Sequence, residues 1–268
     1  QMGRAKVLGI VGSPHVKGLT HELVAKALGG AASLGADVET VSLAEHSIIY
    51  CDDDHSECWS DGVCRRSEAA TTLSKKLDES DAVVLGAPVY YLDVNGLTKN
   101  FMDTTRTLNT NGKPALGISM AGGTGKGLTS ALKSIYNFFF CIELRGIDPL
   151  PVSRFNYKKA LSEAYSSGEK LTELSKSRRP FKDLSDRIAY YHSLKYMNYD
   201  IVEENLLLAQ QLVENIEPVG EVKPLLKEAR REYVKAKELV GKGRKTEAVV
   251  HIMNSYEAGT KAWDIQQV

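Results

Sequence analysis

The sequence predicts a doubly wound α/β domain with a five-stranded parallel sheet, followed by an α-helical C-terminal extension. Three observations predict it. Short, mostly apolar, β-branched runs alternate with helix-length segments through residues 1–152. Those runs lack the in–out alternation of a half-exposed sheet, as expected of strands covered on both faces. From Asn156 onward no strand signal survives.

The strand candidates are Lys6–Val11, Asp37–Leu43, Ala82–Gly86, Ala115–Ser119 and Gly146–Val152. Between them, Thr20–Leu34 carries Leu23, Ala27, Leu28 and Ala31 at helical spacing, and Ser67–Ser80 carries Ala70, Leu73 and Leu77. Gly96–Leu108 and Gly127–Leu144 repeat the pattern with Leu97, Phe101, Leu128, Leu132 and Ile135. Right-handed crossovers leave few topologies for such an alternation. In the extension, Phe181–Ile216 reads as one long or once-broken helix. Leu225–Val240 and Thr246–Gly259 read as a helical hairpin joined at Gly241-Lys242-Gly243. The expected division is 1–155 and 156–268.

Composition narrows the function. Lys and Arg total 34 and Asp and Glu total 34, so no overall positive field recruits nucleic acid. Apolar residues make up 43%, which excludes wholesale disorder. The longest apolar runs are far short of the roughly 20 residues a bilayer needs. With no secretion signal at the start of the sequence, a cytoplasmic protein is the expectation.

Three loops carry chemistry. Gly12-Ser13-Pro14-His15-Val16-Lys17-Gly18-Leu19-Thr20 lies between the first strand and first helix, where open α/β sheets bind ligands. It matches neither the dinucleotide nor the Walker pattern. It still offers what a phosphate needs: small residues, the hydroxyls of Ser13 and Thr20, the charge of Lys17 and a helix N-terminus. An ordinary turn with Thr20 as N-cap is the alternative. After the third strand, Pro88, Val89, Tyr90, Tyr91, Leu92 and Asp93 form a stiff loop against which a flat aromatic ligand could lie. The alternative is that both tyrosines pack the core. After the fourth strand, Gly122, Gly123, Thr124 and Gly125 allow close backbone approach. This last segment is not a P-loop, because Gly127 follows Lys126 where Ser or Thr is required. Loops after strands one, three and four share one rim of such a sheet, which suits a phosphorylated flat cofactor.

The motifs resemble those of the flavodoxin-like NAD(P)H-dependent FMN reductase family, and within it the iron–sulfur flavoprotein branch. The 12–20 segment is similar to the family's loop after strand one, with His15 and Leu19 where Arg and Asn are usual. Ala87-Pro88-Val89-Tyr90-Tyr91, followed by Lys99, Phe101 and Asp103 one residue out of register, is similar to its loop after strand three. The resemblance spans residues 4–155. It implies FMN phosphate in the 12–20 loop, the isoalloxazine ring on residues 88–95 and Gly122–Gly125 at the ring's edge. It also implies a homodimer or homotetramer taking electrons from NAD(P)H or a ferredoxin-like donor to a small acceptor such as a quinone, nitro compound or flavin. No catalytic acid or base is nominated.

Cys51, Cys58 and Cys64 stand where that branch carries four closely spaced cysteines, but here the spacing is C-x6-C-x5-C. A 4Fe-4S cluster takes four thiolates, so a fourth ligand would be needed. Zinc on these three with His55, or no metal, are the alternatives. Cys141, after Phe138-Phe139-Phe140, reads as a core thiol. The tyrosines at 190, 191, 196 and 199 read as a packed helix face rather than a flavin cap. Two other functional readings stay open: an iron–sulfur flavoprotein acting in electron transfer, and a non-catalytic flavin sensor or scaffold whose helical tail binds a partner.

Overall fold

The computed structural model describes residues 3–267. β1 (Lys6–Val11), α1 (Leu19–Ser33) and β2 (Asp37–Ser42) open the chain. A single-turn helix, α2 (Cys58–Asp61), and α3 (Glu68–Glu79) precede β3 (Ala82–Tyr90). The short strand β4 (Asp93–Val94) folds back on β3, and α4 (Gly96–Thr104) leads to β5 (Pro114–Ala121). α5 (Leu128–Cys141) is followed by two short strands, β6 (Arg145–Gly146) and β7 (Leu150–Ser153). Five helices complete the chain: α6 (Tyr157–Ser175), α7 (Leu184–Ser193), α8 (Ile201–Asn215), α9 (Val222–Gly241) and α10 (Lys245–Gln266).

The sheet runs in the order β2-β1-β3-β5-β6, with β4 against β3 and β7 against β5. Neighbours along the main path are parallel, with Val7 opposite Ala82, Val83 opposite Ala115 and Pro114 opposite Arg145. This is the flavodoxin-like strand order, with its switch point between β1 and β3. The central strands are buried on both faces; every residue of β5 is inaccessible. Leu85, Phe101, Leu132, Tyr136 and Phe139 form the centre of the core. The predicted fifth strand is split by Ile147–Pro149 into β6 and β7, each of which pairs with β5.

The chain divides into two compact units. The first holds residues up to Met120, then Gly127–Pro151 and Lys158–Met197. The second holds Ala121–Lys126, Val152–Tyr157 and Asn198 onward. The expected boundary at residue 155 therefore falls inside a crossing segment, and α6 and α7 belong with the sheet. The sequence reading assigned no helix to 157–175. Small residues explain both points. A side chain on Gly168 would meet Ala27 O at 1.7 Å, and one on Gly30 would meet Tyr165 O at 1.9 Å. Helices α6 and α1 thus cross backbone to backbone, an approach that only glycine permits. The predicted helix over 181–216 is broken into α7 and α8 by residues 194–200, where Tyr196 takes φ 69°.

Tyr190 and Tyr191 pack with Phe181 and Phe140, and the Tyr191 hydroxyl donates to Leu144 O. Burial pushes the Tyr191 hydroxyl far above the usual tyrosine range. In the second unit, α9 and α10 approach through Ala229, Ala236 and Ala248, and Ser255 Oγ donates to Ala229 O. Asp200 caps α8 in a reciprocal pair with Glu203, and Lys245 Nζ lies 2.8 Å and 3.0 Å from their carboxylates. No helix among the described residues is long and apolar enough to cross a membrane.

The α1–α6 crossing makes Gly168→Leu a severe change. We expect a loss of about 3 kcal/mol from overpacking, read as a lowered midpoint in chemical denaturation. An unchanged midpoint would remove α6 from the sheet unit.

Candidate functional site

The loops after β1 and β3 lie side by side at the carboxyl ends of two paired strands, where Val11 stands opposite Gly86. Gly12 N donates to Gly86 O at 2.8 Å, continuing the ladder one residue beyond β1. Asn95 Nδ2 then donates to Gly12 O at 2.8 Å. Thr98 Oγ1 lies 2.6 Å from Asn95 Oδ1 and 3.3 Å from Gly12 O. Asn95 and Thr98 are buried, and Asn95 is also the N-cap of α4. A Cβ on Gly12 would stand 2.0 Å from Thr98 Oγ1, so the brace requires glycine there.

The 12–20 loop is closed on itself. Ser13 is buried and its Oγ accepts from His15 N at 3.1 Å, while Gly18 N donates to His15 O. Gly18 stands at the N-cap of α1 in extended backbone and provides no side-chain cap. The start of a helix carries the positive end of the macrodipole, which favours an anion. His15, Lys17 and Leu19 are exposed, and Gly18 is partly exposed. Thr20 is buried with its methyl group toward Gly86, so it supports the loop from beneath.

The loop after β3 is a tight hairpin. Tyr90 pairs with Asp93, leaving Tyr91 and Leu92 as a two-residue tip. Both tip residues have positive φ, 49° and 67°. Such tips normally take Asn-Gly, and each non-glycine residue there costs of order 1 kcal/mol. Pro88 is buried and Val89 partly buried, whereas Tyr90, Tyr91 and Leu92 are exposed, Tyr91 completely. The tyrosines therefore do not pack the core. Two apolar side chains held in left-handed backbone and turned to solvent form a surface suited to a flat ligand.

Gly122–Gly125 belongs to the second unit. Gly122, Gly123 and Thr124 are exposed, and Gly125 is buried beside Leu208 and Phe155. Tyr256 Oη donates to Thr124 O at 2.8 Å.

The structure brings two of the three clustered cysteines to one partner. Among the described residues no three Cys, His, Asp or Glu side chains are grouped to hold a metal ion. Cys51 and Cys58 instead share Arg106. The Arg106 Nε donates to Cys58 Sγ at 3.2 Å, and Nη2 to Cys51 Sγ at 3.6 Å. Nη1 donates to Asp103 O and Thr105 O, both at 2.8 Å. Arg106 is 6% exposed, and its guanidinium lies 3.8 Å from the Trp59 ring centroid. Cys64 is not part of this group; its N–H donates to Thr71 Oγ1. A four-thiolate cluster does not fit these residues, since the chain has only three cysteines here and a cation occupies the position between two of them. Nearby, the Arg66 side chain hydrogen-bonded to Asp52 holds that carboxyl below the usual range. Cys141 is exposed at the last residue of α5, contrary to the buried thiol predicted. There the helix turns its outward face to a 300 Å³ cavity shared with Trp59, Arg106 and Arg178.

Sequence reasoning missed Asn95, Thr98 and Arg106. The first two had a signal, an Asn before Gly96 with Thr three residues on, which is an N-cap pattern.

Fold and loops together define a flavodoxin-type α/β protein whose candidate site lies at the β1–β3 switch point, where such sheets bind ligands. The NADPH-dependent FMN reductase model matches residues 5–150. An iron–sulfur flavoprotein of Methanocaldococcus jannaschii is 34% identical over 142 residues, which cover 50% of this chain and 71% of that protein. An iron–sulfur flavoprotein of Archaeoglobus fulgidus is 36% identical over 98 residues, 37% of this chain and 44% of the relative. Among solved structures, the NAD(P)H:quinone oxidoreductase of Methanothermobacter marburgensis superposes with a TM-score of 0.51 at 14% identity, covering 63% of this chain and all of that one. The chain belongs to the NADPH-dependent FMN reductase family, in its iron–sulfur flavoprotein branch. It is an FMN-dependent oxidoreductase.

The brace gives a direct test. Asn95→Leu removes the donor to the buried Gly12 carbonyl and the cap of α4. We expect a stability loss of about 2–3 kcal/mol and at least tenfold weaker FMN binding, measured by fluorescence titration of refolded protein. Retained FMN affinity would separate the brace from the cofactor loops.

Proposed function

We propose that the 12–20 and 86–95 loops of the first unit hold FMN, and that the chain passes electrons from NAD(P)H to a small acceptor such as a quinone, nitro compound or free flavin. The observation that carries this reading is the brace: two loops at the switch point, one leading into the start of α1 and the other ending in an exposed Tyr-Leu tip, tied by buried hydrogen bonds. In this reading the phosphate lies at the start of α1, near Lys17 and the backbone of Gly18 and Leu19, and the ring lies along Tyr90–Leu92. When bound, FMN supplies the hydride-accepting and electron-donating chemistry. The residues bind and orient it. Ser13 and His15 fix the turn, and the rigid tip keeps one flavin face against apolar side chains. The NADPH named in the family's description favours that donor over a ferredoxin-like one. A homo-oligomer, dimer or tetramer, belongs to the same proposal.

Lys17→Glu tests the phosphate position. It reverses an exposed charge at the start of α1, so we expect FMN affinity to fall about tenfold, equivalent to roughly 1.4 kcal/mol, with riboflavin affinity unchanged. Equal effects on both ligands would remove the phosphate from this loop. Anaerobic bleaching of the visible flavin band by NADPH, followed by recovery on adding a quinone, tests the donor and acceptor. A protein that retains FMN without being reduced by NADPH or NADH would overturn the nicotinamide donor in favour of a ferredoxin-like one.

A further inference from the structure

Cys51 and Cys58 share one partner, Arg106. Both sulfurs of Cys51 and Cys58 accept hydrogen bonds from the same guanidinium, at 3.6 Å and 3.2 Å. Arg106 is fixed independently, by two carbonyls, by Trp59 stacked against it and by Ser74 Oγ, which accepts from its backbone N–H. The sulfurs are thus brought to one small patch by a rigid group. The six residues between them, Asp52–Glu57, form no regular secondary structure, so they can follow a change in sulfur separation. Cys58 is buried, and its Sγ also donates to His55 O at 2.8 Å, whereas Cys51 is partly exposed. One thiol is therefore reachable and the other is shielded behind it, the arrangement of an attacking and a resolving cysteine.

We propose that Cys51 and Cys58 form a redox-active dithiol that closes reversibly to a disulfide by exchange with a small-molecule disulfide, and that Arg106 is its positioning residue. The Cys51 sulfur, having given its proton to solvent, attacks one sulfur of the external disulfide. A mixed disulfide forms and the first external sulfur leaves as a thiolate. The Cys58 sulfur, likewise deprotonated, attacks Cys51 Sγ, forming the Cys51–Cys58 bond and releasing the second external thiolate. Both thiolates take up protons. The pair has lost two electrons and two protons, and the external disulfide has gained them. The guanidinium faces the anionic sulfurs through which the exchange passes. The inference is independent of where FMN binds.

The test is thiol mapping of the FMN-loaded protein in mixtures of reduced and oxidised glutathione. We expect the intact mass to fall by two hydrogens, a cross-linked peptide joining Cys51 to Cys58, and full reversal by dithiothreitol. Cys58→Ser should instead hold a glutathione adduct on Cys51. Arg106→Lys, which keeps the charge but cannot reach both sulfurs, should shift the midpoint glutathione ratio at least tenfold while FMN stays bound. A mass that never falls by two hydrogens, or a bond to Cys64 or Cys141, would overturn the proposal. So would iron and inorganic sulfide recovered in stoichiometric amount with the freshly purified wild-type protein. The wild-type map decides even if a variant fails to fold.

Discussion

The candidate site depends on one buried acceptor, the carbonyl oxygen of Gly12. It lies one residue past β1, where ladder pairing ends, and its neighbours are buried. Left alone, such a carbonyl costs about 1–3 kcal/mol. Asn95 and Thr98 satisfy it from the opposite loop. The same two residues start α4, so the loop after β1, the hairpin after β3 and the helix behind them move as one piece. Each part is a weak local structure; the hydrogen bonds among them make the rim rigid.

Rigidity explains why the hairpin tip tolerates two left-handed non-glycine residues. Tyr90–Asp93 pairing closes the turn, Val94 is buried beneath it and Asn95 is fixed at Gly12. The backbone of Tyr91 and Leu92 is then over-determined, and strain of order 1 kcal/mol per residue persists. Nothing in the free protein is gained by exposing a tyrosine completely in that conformation. In the proposed reading the gain lies in a surface already shaped for an aromatic ligand, which avoids ordering costs on binding.

Much of this was legible in the sequence. Periodicity marked β1, α1, β2, α3, β3, α4, β5 and α5 to within a few residues, because strands covered on both faces and helices with one buried stripe leave strong patterns. The family motifs marked both loops. Helix α6 escaped because Leu171 is the one large apolar side chain on a buried face otherwise formed by Ala160, Ala164, Gly168 and Thr172, which a search for large apolar side chains passes over. The burial of Thr20 and the exposure of Cys141 depend on tertiary neighbours, which no local pattern encodes. Arg106 escaped for another reason. A lone arginine after a helix reads as solvent-exposed, and only the fold brings the sulfurs of Cys51 and Cys58 to it across 55 and 48 residues of chain.

That arginine also bears on how the cysteines of this chain differ from a four-thiolate set. A buried guanidinium is tolerated only when its N–H groups are paired. Here two of its partners are sulfurs. Drawing either sulfur away to a metal would orphan a buried donor. It would also place a metal cation beside the guanidinium, and two unit positive charges about 4 Å apart cost about 4 kcal/mol at an effective dielectric of 20. Loading iron would therefore require Arg106 to leave its stack on Trp59 and its two carbonyls, taking the loop that joins α4 to β5 with it. The two cysteines are better matched to the cation that already holds them.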